Sequence, residues 1–113
     1  MPASSKPEKR IQAEILLAYG ALPWLRIWRN STGVGMSLSG DAVVTFGLKG
    51  SADIIGIMEG GRFVAIEVKS KHGRQRPDQV RFQAMLERFG GLYILARSVG
   101  DVDEAFAAIG RRR

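Results

Sequence analysis

The chain contains no cysteine and a single histidine, His72. The missing thiols exclude disulfides, thiolate metal sites and cysteine nucleophiles, and they fit a reducing compartment. No stretch is long and apolar enough to cross a bilayer. The opening residues Met1-Pro2-Ala3-Ser4-Ser5-Lys6 carry charge with no apolar run behind it, so they do not read as a signal peptide. These absences predict a cytoplasmic protein without a membrane partner. No internal repeat and no linker interrupts the 113 residues, so the length predicts one domain with one packed core.

What the chain has in excess is positive charge. The formal net charge is +6 and the isoelectric point is near 10.3. A field of that sign favours polyanionic partners such as DNA, RNA or an anionic membrane surface. Arg111, Arg112 and Arg113 supply three of the charges and read as a frayed basic tail over 110–113.

Periodicity supplies the elements. A helix is expected from Ser5 to Tyr19, with Ser5 and Glu8 at capping-box spacing and Pro7 in the first turn. Its stripe is Ile11, Ile15, Ala18 and Leu22, and Gly20 ends it. Glu14 falls on the same stripe, where a carboxylate needs a cation, a metal or a donor. Strands are expected over Trp24–Arg29, Asp41–Phe46, Ala52–Met58, Arg62–Lys69 and Leu92–Ala96. Asn30–Gly40, rich in serine and glycine, reads as a mobile loop. Pro77 opens a helix to Phe89 with Phe82, Met85, Leu86 and Phe89 as its buried stripe, and Asp101 caps a closing helix to Ile109. The order α-β-β-β-β-α-β-α predicts an α/β fold with a mixed central sheet flanked by helices.

One strand carries an unusual pattern. In Phe63-Val64-Ala65-Ile66-Glu67-Val68-Lys69, alternate residues share a face. Val64, Ile66 and Val68 form a core face. Phe63, Ala65, Glu67 and Lys69 form the other, which starts apolar and ends with an acid beside a base. The preceding strand begins near Asp53, and Glu59-Gly60-Gly61 is a hairpin turn. With that turn centred near Gly60, Asp53 lies seven residues before it and Glu67 seven after. The antiparallel register then sets the two carboxylates side by side on one face. Two such carboxylates repel unless one is protonated or a cation lies between them. Mg²⁺ takes oxygen ligands and is commonly held by one or two carboxylates. Lys69, on the same face, can orient or deprotonate a water or neutralise developing charge. The plain alternative is a cross-strand ion-pair cluster on the surface.

Gly50-Ser51-Ala52-Asp53, Glu67-Val68-Lys69 and the helical Gln79 together resemble the PD-(D/E)XK nuclease superfamily. More narrowly they resemble its VRR-NUC (virus-type replication-repair nuclease) branch, in the short stand-alone form of phages and bacteria. The resemblance runs from about Glu8 to Ala105. Ala52 stands where the superfamily name has proline, a departure common in this branch. The resemblance implies a restriction-endonuclease-like α-β-β-β-α-β core and a phosphodiesterase dependent on Mg²⁺ or Mn²⁺. It implies Asp53 and Glu67 as metal ligands, with the Val68 carbonyl a third, and Lys69 as a catalytic residue. It further implies that Glu14 orients a metal-bound water and that Gln79 stands near the site. The stripe agrees on Gln79, which precedes Phe82 and Leu86 by three and seven residues.

Lys49, Ser51, Lys71, Arg74 and Arg76 suit contacts to a nucleic-acid backbone. Arg26 and Arg29 suit the same groove, and His72 reads as a surface residue. The expected activity is a structure-selective DNA endonuclease acting on four-way junctions as a homodimer, encoded by a bacterium or phage. Two alternatives stay open: a nuclease for flaps or other branched or single-stranded DNA, and a nucleic-acid-binding module with no turnover.

Overall fold

Val64, Ile66 and Val68 are fully buried and sit at the centre of the molecule. They belong to β5 (Phe63–Val68), an inner strand of a four-stranded sheet whose other members are β1 (Leu25–Arg29), β4 (Ile54–Met58) and β6 (Leu92–Ala96). The strand order is β1-β4-β5-β6. Pairing is antiparallel from β1 to β4 and from β4 to β5, and parallel from β5 to β6. A parallel neighbour requires a crossover, and α2 (Pro77–Arg88) provides it. The fold is thus α/β with a mixed sheet, as the element order predicts, and its layout is compatible with a nuclease-like core of that class. The computed structural model describes residues 6–113, except the side chain of Phe46.

The sheet's two faces receive different helices. Helix α1 (Glu8–Tyr19) and α3 (Val99–Ala107) bring Ile11, Ile15, Tyr19, Val102 and Phe106 onto the Val64–Ile66–Val68 face. Tyr19, Trp24 and Phe106 pack there as an aromatic cluster with centroids 4.9–6.5 Å apart, a geometry that adds to simple area burial. On the other face Phe82 and Leu86 of α2 meet Ala52, Ala65 and Tyr93.

Several expectations change. Helix α1 begins at Glu8 with Pro7 in the cap position, and the expected Ser5 cap lies outside the described residues. Asn30–Gly40 contains a strand: β2 (Gly33–Met36) pairs antiparallel with β3 (Val43–Phe46) as a separate two-stranded arm. Helix α3 starts two residues before the expected cap. Ser98 caps it by accepting from Asp101 N–H at 3.2 Å, while the Asp101 carboxylate accepts from Arg97 N–H. On α2, Met85 and Phe89 are exposed, and Gln79 replaces them in the buried stripe. The arginine tail is held as well. Arg113 pairs with Asp103 at 2.9 Å and lies over the Tyr19 ring, and Arg111 lies over Trp24.

Candidate active site

The β4–β5 ladder pairs Ile54 with Ile66 and Gly56 with Val64. Continued by one step, that register sets Asp53 opposite Glu67, as the turn-centre argument predicts. The Asp53 carboxylate is fixed by Val68 N–H, which donates to Oδ2 at 2.8 Å. The backbone of Asp53 is fixed from the other side, since its carbonyl accepts from Asn30 N–H at 2.8 Å.

Glu67, Lys69 and Gln79 are the three buried polar side chains among the described residues. They are the ones expected at the site. Glu67 is 2% exposed, and its Oε2 has no hydrogen-bond partner. Burial, then the hydrogen bond and the negative charge of Asp53, push the Glu67 carboxyl up to about 9 from 4.5, against the pull of Lys69 and Arg76. A carboxyl in that state holds a proton at neutral pH unless a cation takes its place. Lys69 follows directly on β5, and its N–H donates to the Ala96 carbonyl at 3.0 Å. Its ammonium closes no ion pair among the described residues.

Gln79 reaches the site from α2. Its Oε1 accepts from Arg76 N–H at 2.9 Å and caps the helix, so only its amide NH₂ is left to reach outward. Gly50 allows α2 to come this close. Its φ is +82°, and a Cβ there would lie 2.4 Å from the Asp78 carbonyl oxygen. Behind the acid pair, Tyr93 and Gln83 both accept from the Gln75 amide at 3.0 Å. Burial pushes the Tyr93 phenol up to about 12. Tyr93 thus forms a neutral wall for the site.

Two carboxylates side by side, one with an unpartnered buried oxygen, fit a hard divalent cation completed by water and phosphate. Asp53 and Glu67 would hold it. The structure does not bring Glu14 to them. No group of three acidic, histidine or cysteine side chains gathers in metal-binding range among the described residues. Glu14 instead pairs with Lys6 at 2.9 Å and lies near Arg10, in a cavity that Lys71 and Arg97 also line. Glu14 lies on α1, which covers the sheet face opposite Glu67. This removes the geometric basis for its expected role as a water-orienting acid or metal ligand.

The acid that α1 does bring toward the site is Glu8, which the sequence reading used only as a capping residue. Its Oε2 accepts from Ser70 N–H at 3.1 Å, immediately after Lys69. The Ser70–Gly73 segment is also gathered by Arg97, whose guanidinium donates to the carbonyls of Ser70 and Gly73 at 2.5 and 2.8 Å. The signal for Glu8 was present, since the first turn of a helix often overhangs a sheet edge, but the apolar stripe draws attention to Glu14.

The expected backbone contacts divide into two groups. Lys49, Arg76 and Asp78 line a groove of about 560 Å³ between the β2–β3 arm and the start of α2. Lys71, His72 and Arg74 are exposed on the loop beyond Lys69. Ser51 is half-buried, and its hydroxyl accepts from the Asn30 amide at 2.7 Å. Arg26 turns its guanidinium back to the carbonyls of Leu22 and Leu25. Arg29 is exposed at the end of β1. Among the described residues, no helix is long and apolar enough to cross a membrane. No family model, curated protein or solved structure matches the chain.

Proposed function

We propose that the chain is a metal-dependent, structure-selective DNA endonuclease of the VRR-NUC kind, hydrolysing phosphodiester bonds at four-way junctions. The observation that carries the reading is the buried Asp53–Glu67 pair with Lys69 beside it. Burying two acids and a base together has a large desolvation cost that a structural ion pair seldom repays. Asp53 and Glu67 would hold Mg²⁺ or Mn²⁺, with the Val68 carbonyl as a further ligand. The cation supplies Lewis acidity and a water of lowered pKa. Lys69 offers an ammonium to the negative charge that develops on the phosphoryl group. Gln79 positions its amide against the same space, and Glu8 and Arg97 hold the segment that follows Lys69. Lys49, Ser51, Lys71, Arg74 and Arg76 flank the acids, where cationic and polar groups hold a phosphate backbone without reading bases. A homodimer would present two such sites to a symmetric branched substrate. A cytoplasmic setting in a bacterium or phage-infected cell belongs to the same proposal.

A second reading, a binding module without turnover, draws on the gathering of only two acids. One assay separates the two: labelled four-way junctions, flaps, duplex and single strands incubated with Mg²⁺, Mn²⁺ or EDTA. Metal-dependent cutting confined to junctions is expected. Equal cutting of linear duplex overturns the substrate class. Junction binding with no cutting under any metal overturns the enzyme.

A further inference from the structure

The β2–β3 arm is chemically unlike the rest of the molecule. Between Asn30 and Leu48 there is no lysine or arginine and one acid, Asp41, so the remainder of this +6 chain carries +7. Direct pairing of Val34 with Thr45 and of Met36 with Val43 places these four side chains on one face of the ribbon. Val34, Met36 and Val43 are 64–70% exposed, and Leu38 at the tip is fully exposed. The opposite face is bare at Gly33 and Gly35, which pair with Phe46 and Val44. Two-stranded ribbons are marginal in water without something packed on them. No third strand pairs with the arm among the described residues.

We infer that this apolar ribbon face is the surface by which two copies of the chain associate, which gives the homodimer of the nuclease reading a location. Charge argues for this occupant. A phosphate backbone finds no cation along the ribbon, and contact with it would desolvate phosphate against valine and methionine. Two copies of a basic chain, by contrast, can meet through the neutral arm without pressing their cationic surfaces together. Area agrees. A stable interface takes on the order of 800 Å² from each partner, and Val34, Met36, Leu38, Val43 and Leu48, with half-exposed Trp28 at the root, offer apolar surface of that order. A two-fold axis through the ribbon would set like against like, as an isologous contact requires.

The arm is also tied to the site. At its root Asn30 donates from its side chain to Ser51 Oγ and the Ala52 carbonyl at 2.7 and 2.9 Å, and from its backbone to Asp53. Fixing the arm by association therefore fixes the strand entry that carries Asp53.

The test is the mass of the full chain by sedimentation velocity in EDTA without DNA, for wild type and for the triple variant Met36→Ser, Leu38→Ser, Val43→Thr. Wild type is expected to sediment as a dimer at micromolar concentration. The variant is expected as a monomer with an unchanged thermal melt. A monomeric wild type, or a dimer that survives the three substitutions, overturns the inference. Loss of junction affinity in the variant together with a monomeric wild type assigns the ribbon to DNA instead, and also overturns it. If the variant melts early, Leu38→Ser alone, at a fully exposed tip, must shift the dimerisation constant at least tenfold; no shift overturns the inference. Because the mass is read without metal or substrate, a dimer that never cuts DNA would sink the nuclease reading and leave this one standing.

Discussion

The two faces of β5 differ in what they ask of their residues. Val64, Ile66 and Val68 look toward α1 and α3 and meet only carbon. Ala65, Glu67 and Lys69 look toward α2, and two of those three bring ionisable groups into the interior. Both faces are equally dry, so burial alone does not separate them. What separates them is that the first face is stabilised by its contents, while the second accepts a cost that only chemistry explains. Substitutions on one face should therefore act on stability, and on the other on turnover.

The largest effect is expected from Lys69→Ala. Removing a preorganised charge from a dry site costs roughly 100- to 1,000-fold in rate, so metal-dependent cleavage should fall by at least that much. Junction affinity measured in EDTA should change little. Unchanged cutting by this variant removes Lys69 from the reaction.

Ile66→Ala is the counterpart on the other face. The side chain is fully buried, and such truncations cost about 2–5 kcal/mol through lost transfer energy and the cavity left behind. Chemical denaturation should show that loss. At a temperature where the variant is folded, its metal dependence and junction preference should match wild type. A change of substrate preference would mean that the faces are not separable.

Much of this contrast was legible in the sequence. The hairpin register needed only a turn centre and a period of two, and it placed Asp53 against Glu67. The i, i+3, i+7 spacing of Gln79, Phe82 and Leu86 placed an amide beside them. Other features depend on where a helix ends relative to a sheet edge, which periodicity does not report. That is why Glu14, on the apolar stripe, looked like the site acid, and Glu8, one turn beyond the sheet, did not. The arm was hidden for a different reason. Gly33-Val34-Gly35-Met36 has loop composition, yet glycine alternating with apolar residues leaves one ribbon face bare and still allows a ladder.

Acidity gives the next prediction. Glu67 titrates at about 9 in the fold and at 4.5 as a free side chain. Between those values the folded chain holds a proton that the unfolded chain has lost, so stability falls as pH rises. In EDTA the melting temperature should drop from pH 6 to pH 9. The corresponding decline should flatten in Glu67→Gln, which keeps a neutral group of the same shape. A divalent cation needs the ionised carboxylate, so Mn²⁺ affinity should climb over the same window with release of a proton. Calorimetry in buffers of different ionisation enthalpy would count that proton. Release of none would mean that Glu67 is ionised before the metal arrives.

The smallest effects should come from the two acids of α1, and they sharpen the contrast most. Glu8 accepts a hydrogen bond from the backbone beside Lys69, so Glu8→Ala frees the Ser70 segment while leaving the metal ligands in place. A fall in kcat of about tenfold is expected, equal to roughly 1.4 kcal/mol in the barrier, with KM little changed. Glu14 is partly exposed, and its partners Lys6 and Arg10 are more exposed still. Pairs of that kind are worth about 0.2–1 kcal/mol at most, so Glu14→Ala should shift the melt slightly and cleavage not at all. The reverse ranking, with Glu14 the variant that loses turnover, would show that α1 slides toward the site when substrate binds. It would also restore the helical stripe as the guide to the chemistry.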